Sequence, residues 1–169
     1  MSMILGIKKI LEKNNVSFVF HPKNENLPVD KIDIDLIIEN YPANLPNKIE
    51  LIFVPGIEDA TKGLSLLQFY SILNLKINDK ESIRFDLMKL MSDINYTLAA
   101  GAFILNLNEN NIYLKYNLAI DQSQDKDLEL IISRTIWLIN RHFDTYTNLF
   151  VEINNESLTY NDIKTRGII

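Results

Sequence analysis

Apolar and polar residues follow two rhythms along this chain, and the switches between them mark its elements. Met3, Ile4, Ile7, Ile10 and Leu11 recur at helical spacing, with Lys8, Lys9, Glu12 and Lys13 opposite them. Ser2 is placed to cap that helix, and Asn14-Asn15 to end it in a left-handed residue. VSFVF then reads as a short strand broken by His21-Pro22. IDIDLIIEN alternates, with Ile32, Ile34, Leu36 and Ile38 on one face and Asp33, Asp35 and Glu39 on the other, as a half-buried strand does. Pro42 and Pro46 punctuate the next loop, and IELIFV is a further strand closed by Pro55-Gly56.

A long strand, LSLLQFYSILNLKI, follows. Leu67, Phe69, Leu73, Leu75 and Ile77 face one way; Leu66, Tyr70 and Ile72 face the other. Asp79 is placed to cap a second helix, whose stripe is Ile83, Leu87, Leu90, Met91 and Ile94. Gly101 leads into a hairpin in which Phe103, Leu105 and Leu107 pair with Ile112, Leu114, Tyr116, Leu118 and Ile120 across an NENN turn. A long helix, DLELIISRTIWLINRHFDTY, comes next. The order is α-β-β-β-β-α-β-β-α. Short loops between consecutive strands favour an antiparallel sheet with helices packed on it, an α+β fold. Residues 1–153 are expected to form one domain and residues 154–169 a polar tail with at most a weak helix.

The long helix has more apolar surface than one buried face needs. At about 100° per residue, Leu128, Ile131, Ile132, Thr135, Ile139, Phe143, Tyr146 and Phe150 gather into one stripe. Leu130 and Trp137, the only tryptophan, fall nearly opposite, with Arg134 and Arg141 beside the indole, where their stems could lie along it. Either another part of the chain covers Trp137, or it anchors a protein contact, a role in which Trp and Arg are over-represented. The opposite face of the sheet poses the same choice, since Ile52, Leu66, Tyr70, Ile72, Ile104 and Tyr113 are not the polar set a wetted face usually shows. A helix of the same chain is the expected cover there, and a dimer or client groove is the alternative.

Composition narrows the chemistry. Hydrophobic residues make up 47% of the chain, enough for a core that needs no staples. With no cysteine, disulfides, thiolate metal sites and cysteine nucleophiles are all excluded. A net charge of −5 argues against nucleic acid as the main ligand. No apolar run is long enough for a membrane span. The first segment carries charges within its apolar pattern, as a helix does and a signal peptide does not.

His21 and His142 are the only groups suited to acid–base work near neutral pH. His142, at the edge of the buried stripe, reads as a hydrogen-bonded core histidine. Asp33 and Asp35 share a strand face but lack the glycine and distal glutamate of a calcium loop, so a solvated face is the better reading. GIEDATKG is not a phosphate loop, because Thr61 holds the second glycine's place and Lys62-Gly63-Leu64 runs into a strand. No catalytic residue, cofactor site or metal site is expected.

Around the hairpin the chain resembles a known family. The residues that carry the resemblance are Asn95 and Leu98 at the helix exit, Gly101 and Phe103 entering the first hairpin strand, and Ile112, Leu114, Tyr116 and Leu118 in the strand that follows. Together they resemble the pattern of the YbjN-like proteins, which share a fold with type III secretion chaperones. LLQFYSILNLKI is also similar to the strand at that point in such proteins, and the likeness covers most of residues 1–153. It implies a small α+β domain that often dimerises, binds protein segments and catalyses nothing.

The expectation is therefore a cytoplasmic, non-enzymatic, chaperone-like or regulatory protein-binding module that forms a homodimer. It would bury a partner segment against Trp137, Leu130, Arg134 and Arg141, or against Tyr70, Ile72, Ile104 and Tyr113. The alternatives are a small-ligand binder or enzyme with a pocket near His142 and Tyr146, and an inhibitor-type partner whose acidic surface suits a basic target.

Overall fold

A computed structural model describes residues 3–36, 47–57, 63–121 and 127–169. Ser2, Ile38, Glu39, Pro42, Pro46, Thr61 and Lys62 lie outside them. The element order matches the alternation in the sequence: α1 (Met3–Lys13), β1 (Phe18–His21), β2 (Lys31–Leu36), β3 (Asn47–Phe53), β4 (Leu64–Leu73), α2 (Glu81–Thr97), β5 (Ala102–Asn106), β6 (Asn111–Asp121) and α3 (Leu128–Asn154). A short α4 (Tyr160–Thr165) follows.

The strands form a six-stranded sheet in the order β1-β2-β3-β4-β6-β5, and every neighbouring pair is antiparallel. α2 carries the chain from β4 to the far edge, so the hairpin returns with β6 against β4 and leaves β5 outermost.

Period-two alternation decides which side chains enter the core. Ile32 and Ile34, Ile49 and Leu51, Leu67, Phe69 and Leu73, Phe103, and Ile112, Leu114 and Ile120 are all buried on one face. The helices fill the layer against them. α1 supplies Ile4, Ile7 and Leu11, α2 its predicted stripe, and α3 Leu128, Ile132, Ile139, Phe143, Phe150 and Ile153. These residues form one continuous core. Phe103 is its aromatic hub, with its ring 5.6 Å from Phe143, 6.2 Å from Tyr146 and 5.0 Å from Phe150.

Several local expectations give way to side-chain hydrogen bonding. β4 ends at Leu73, four residues short of Ile77. Beyond it, Asn154 accepts from the Asn78 N–H at 2.8 Å and donates to the Lys76 carbonyl at 3.1 Å, while Asn110 Nδ2 donates to the Ile77 carbonyl at 2.7 Å. These amides take backbone groups that a longer strand would give to a neighbour, and Ile77 stays buried. Lys80, not Asp79, is the N-cap of α2, without a side-chain bond. Asp79 instead accepts from Arg84 Nη2 at 2.7 Å. In the hairpin the last pair is Asn106 with Asn111, so Leu107 belongs to the turn and is half exposed.

The stretch read as a polar tail is built into the fold. Thr159 and Asp162 form a reciprocal capping box at the start of α4. Ile163 is fully buried. The Tyr160 hydroxyl donates to Asp93 on α2 at 2.7 Å, and its N–H donates to Asp86 at 3.1 Å.

Candidate functional site

The eight residues expected to bind a partner fall into two groups on opposite sides of the molecule. Leu130, Arg134, Trp137 and Arg141 lie on the outward side of α3. Tyr70, Ile72, Ile104 and Tyr113 lie on the sheet face that points away from the helices.

On α3 the wheel places Trp137 and Leu130 correctly. Trp137 is 66% exposed and Leu130 49%, so the described residues of the chain do not cover the indole. Arg134 and Arg141 are also exposed. The stacking expected of them is absent: the cation–ring contacts among the described residues are those of Lys8 with Phe20 and of Lys89 with Phe85 and Tyr160. Ile131, expected in the core stripe, is exposed as well. α1 packs on the flank of α3 that carries Ser133, Ile136 and Asn140, whereas Ile131 sits on the far flank of the same helical half.

Beside Trp137 runs a groove of about 270 Å³ between the end of α1, the start of the β1–β2 pair and the middle of α3. Its walls are chiefly apolar, with Ile10, Val16, Ile34, Ile136 and the indole. An ion pair fixes its upper end. Lys13 Nζ meets both Glu129 carboxylate oxygens, at 2.8 and 3.1 Å, and Asn14 Nδ2 donates to the same carboxylate at 3.1 Å. The Lys13 and then the Asn14 hydrogen bonds hold the Glu129 carboxyl below its ordinary range. One polar atom of the groove stands out, because Asn140 Oδ1 is buried without a hydrogen-bond partner.

On the sheet, register brings the other group together. Ile72, Tyr113 and Ile104 are direct neighbours across β4, β6 and β5. The Tyr70 ring lies 4.7 Å from that of Tyr113. Burial, and then the neighbouring Tyr113, push the Tyr70 hydroxyl above its ordinary value. The expected helical cover is missing: among the described residues, none of these side chains joins the core into which all four helices pack. Towards β1 the same face turns polar. His21 Nε2 and Lys31 Nζ meet Asp33 at 2.9 and 3.0 Å, and Lys31 also meets Glu50 at 3.5 Å. Burial pulls the Lys31 ammonium down, but its hydrogen bond to Asp33 and the charges of Glu50 and Asp33 outweigh that and raise it. Asp33 thus belongs to a charge network, and Asp35 accepts a hydrogen bond from Ser17. Among the described residues no cluster of His, Asp and Glu has the makings of a metal site.

His142 is buried, and burial pulls its pKa down while a hydrogen bond with the Ala100 backbone opposes the shift. Its Nε2 has no partner, so the expected core histidine is only half satisfied. Its ring lies 6.5 Å from that of Tyr146.

A surface missed in the sequence lies on α2, where Phe85 and Met88 join Leu107 of the hairpin turn. They line a groove of about 610 Å³ with Arg84, Glu81 and Ser82. Phe85 and Met88 both fall off the helix stripe, which was the available signal. Among the described residues no helix is long and apolar enough to cross a membrane.

No family model matches the chain, nor does any curated protein or solved structure. The resemblance to the YbjN-like proteins therefore rests on this chain's own sequence alone.

Proposed function

We propose that the chain is a non-enzymatic protein-binding module that receives a partner segment on the outward side of α3. The observation that carries this reading is Trp137, two-thirds exposed beside an apolar groove and in line with exposed Leu130. An uncovered tryptophan keeps a large apolar area in water, and covering it is the free energy a partner gains. Tyr70, Ile72, Ile104 and Tyr113 offer another, flatter apolar surface. The chaperone-like assignment, a homodimer and a cytoplasmic setting belong to the same proposal, because a second copy or a client segment would supply the missing cover.

A photo-crosslinking residue in place of Trp137, with a control at the exposed Tyr96, tests the reading in cells of the natural host. A discrete adduct at position 137 that is absent at 96 supports it. Identical labelling at both positions contradicts it. The ligand-pocket alternative draws no support from these grooves: among the described residues, His142 lines neither the groove beside Trp137, nor that on α2, nor the shallow one around Asn78 and Asn154.

A further inference from the structure

The two edges of the sheet end differently. At β5 the amide of Asn95 takes the outward backbone groups of Phe103, and among the described residues nothing comparable covers β1. The Asp35 N–H donates to the Ser17 carbonyl at 3.3 Å, and the same register continues through Val19 with Asp33 and His21 with Lys31. Opposed residues in an antiparallel ladder alternate between bonded and non-bonded pairs. Ser17, Val19 and His21 therefore turn their backbone groups towards β2, and Phe18 and Phe20 turn theirs outward. Among the described residues, no backbone group bonds to them there. The side chains alternate as well. Phe18 and Phe20 are half-buried against the core, while Val19 stands on the opposite, open face of the sheet, 49% exposed. β1 reads FVFH and carries no lysine or proline that would turn another strand away.

We infer that β1 pairs antiparallel with β1 of a second copy of this chain, joining the two sheets into one about a twofold axis at Val19. Hydrogen-bond accounting selects that register. Centred on Val19, it sets Phe18 opposite Phe20 of the other copy and Phe20 opposite Phe18, so the outward N–H and C=O groups of both residues find partners. Centred on Phe18, it would set Phe20 against Val16, whose N–H is already given to the Leu11 carbonyl at 3.0 Å. Centred on Phe20, it would set Phe18 against Pro22, which has no N–H to give. The side chains fit the same register. Phe18 meets Phe20 on the helix face and Val19 meets Val19 on the open face, the aromatic and β-branched pairs that stabilise sheets. Along one row of the open face, Asp35 and the Ser17 that donates to it run on to His21 and Lys31 of the other copy, carboxylate towards base. The contact is self-complementary, as a twofold interface requires. An unrelated extended segment would share the backbone bonds but not these matched side chains. The pairing uses a different element from the docking at Trp137, and either can fail without the other.

The chain has no cysteine, so Val19→Cys gives a full chain with a single thiol. The inferred register puts the two Cα atoms at that position about 4.5 Å apart, within disulfide reach. Mild oxidation is expected to link Val19→Cys into a covalent dimer at least about ten-fold faster than Tyr96→Cys, a control at a position 91% exposed. Sedimentation equilibrium of the parent chain should show a dimer that dissociates on dilution. Val19→Lys and Val19→Glu each set like charges face to face and should weaken that dimer at least roughly ten-fold, while an equimolar mixture of the two should recover it. A parent chain that stays monomeric up to millimolar concentration overturns the inference. So does equal linking at positions 19 and 96, a dimer that neither charged variant weakens, or a mixture that recovers nothing. Crosslinking at position 137 is read separately, so none of these outcomes decides the docking role of Trp137.

Discussion

The side-chain amide of Asn95 closes on the backbone of Phe103 from both directions. Its Oδ1 accepts the Phe103 N–H at 2.8 Å, and its Nδ2 donates to the Phe103 carbonyl at 2.9 Å. Phe103 lies on β5, an edge strand, so a residue of α2 does there what a seventh strand would otherwise do. This satisfies two backbone groups and blunts the edge against pairing with other chains.

Asn95→Ala leaves both groups half-buried and unpaired. We expect a loss of about 1–3 kcal/mol in unfolding free energy, read by urea denaturation, together with faster aggregation on heating. Asn95→Asp, which keeps the acceptor and loses the donor, is expected to fall between the alanine variant and the parent.

Gly101 has φ +78°, and a Cβ there would stand 3.0 Å from the Lys115 carbonyl oxygen and 3.3 Å from Tyr116 Cβ. Both the backbone conformation and the space therefore demand glycine. Gly101→Ala should cost at least about 1 kcal/mol in chemical denaturation, while Gly56→Ala, strained in φ but in open space, should cost less.

The C-terminal helix should come loose in acid. Asp93 is held below its ordinary range by the Tyr160 hydroxyl and then by Lys164. A depressed carboxyl contributes stability that is present above its unfolded pKa and lost as pH falls through the folded one, here below about pH 4. Tyr160 is raised by its hydrogen bond to Asp93, so its share is present at neutral pH and lost only as pH rises through the tyrosine range. Amide exchange of residues 160–165 should therefore accelerate at low pH, and Tyr160→Phe should remove much of that pH dependence.

His142 adds another acid-sensitive contribution at higher pH. Burial depresses its folded pKa, so the neutral ring is favoured and stability declines as pH drops below about 6.5, levelling off once the folded pKa is passed. Denaturant midpoints taken between about pH 7.5 and 5 should show this decline, and His142→Leu should flatten it.

The elements and their order were legible because period-two and period-3.6 patterns report burial directly. Ile49 and Leu51, or Ile83 and Leu87, could hardly face anywhere else. The errors share a cause. The end of β4, the cap of α2 and the hairpin turn depend on where the amides of Asn154 and Asn110 and the carboxylate of Asp79 find partners, and for the two amides those partners lie in distant parts of the chain. Ile131 failed because a wheel shows one helix's faces but not which neighbour flanks each half of it. Trp137 and Leu130 were legible as surplus, whereas the groove beside the indole needed α1 and β2 in place.

Every role proposed for the outward side of α3 depends on Trp137 being left uncovered by its own chain. Acrylamide quenching of its fluorescence in the purified chain, followed on serial dilution, tests this most directly. The indole should be freely quenched once the chain is dilute, with any protection at high concentration lost on dilution. Blue-shifted, protected emission that persists at the lowest concentration would mean the chain covers its own tryptophan, and would contradict the account.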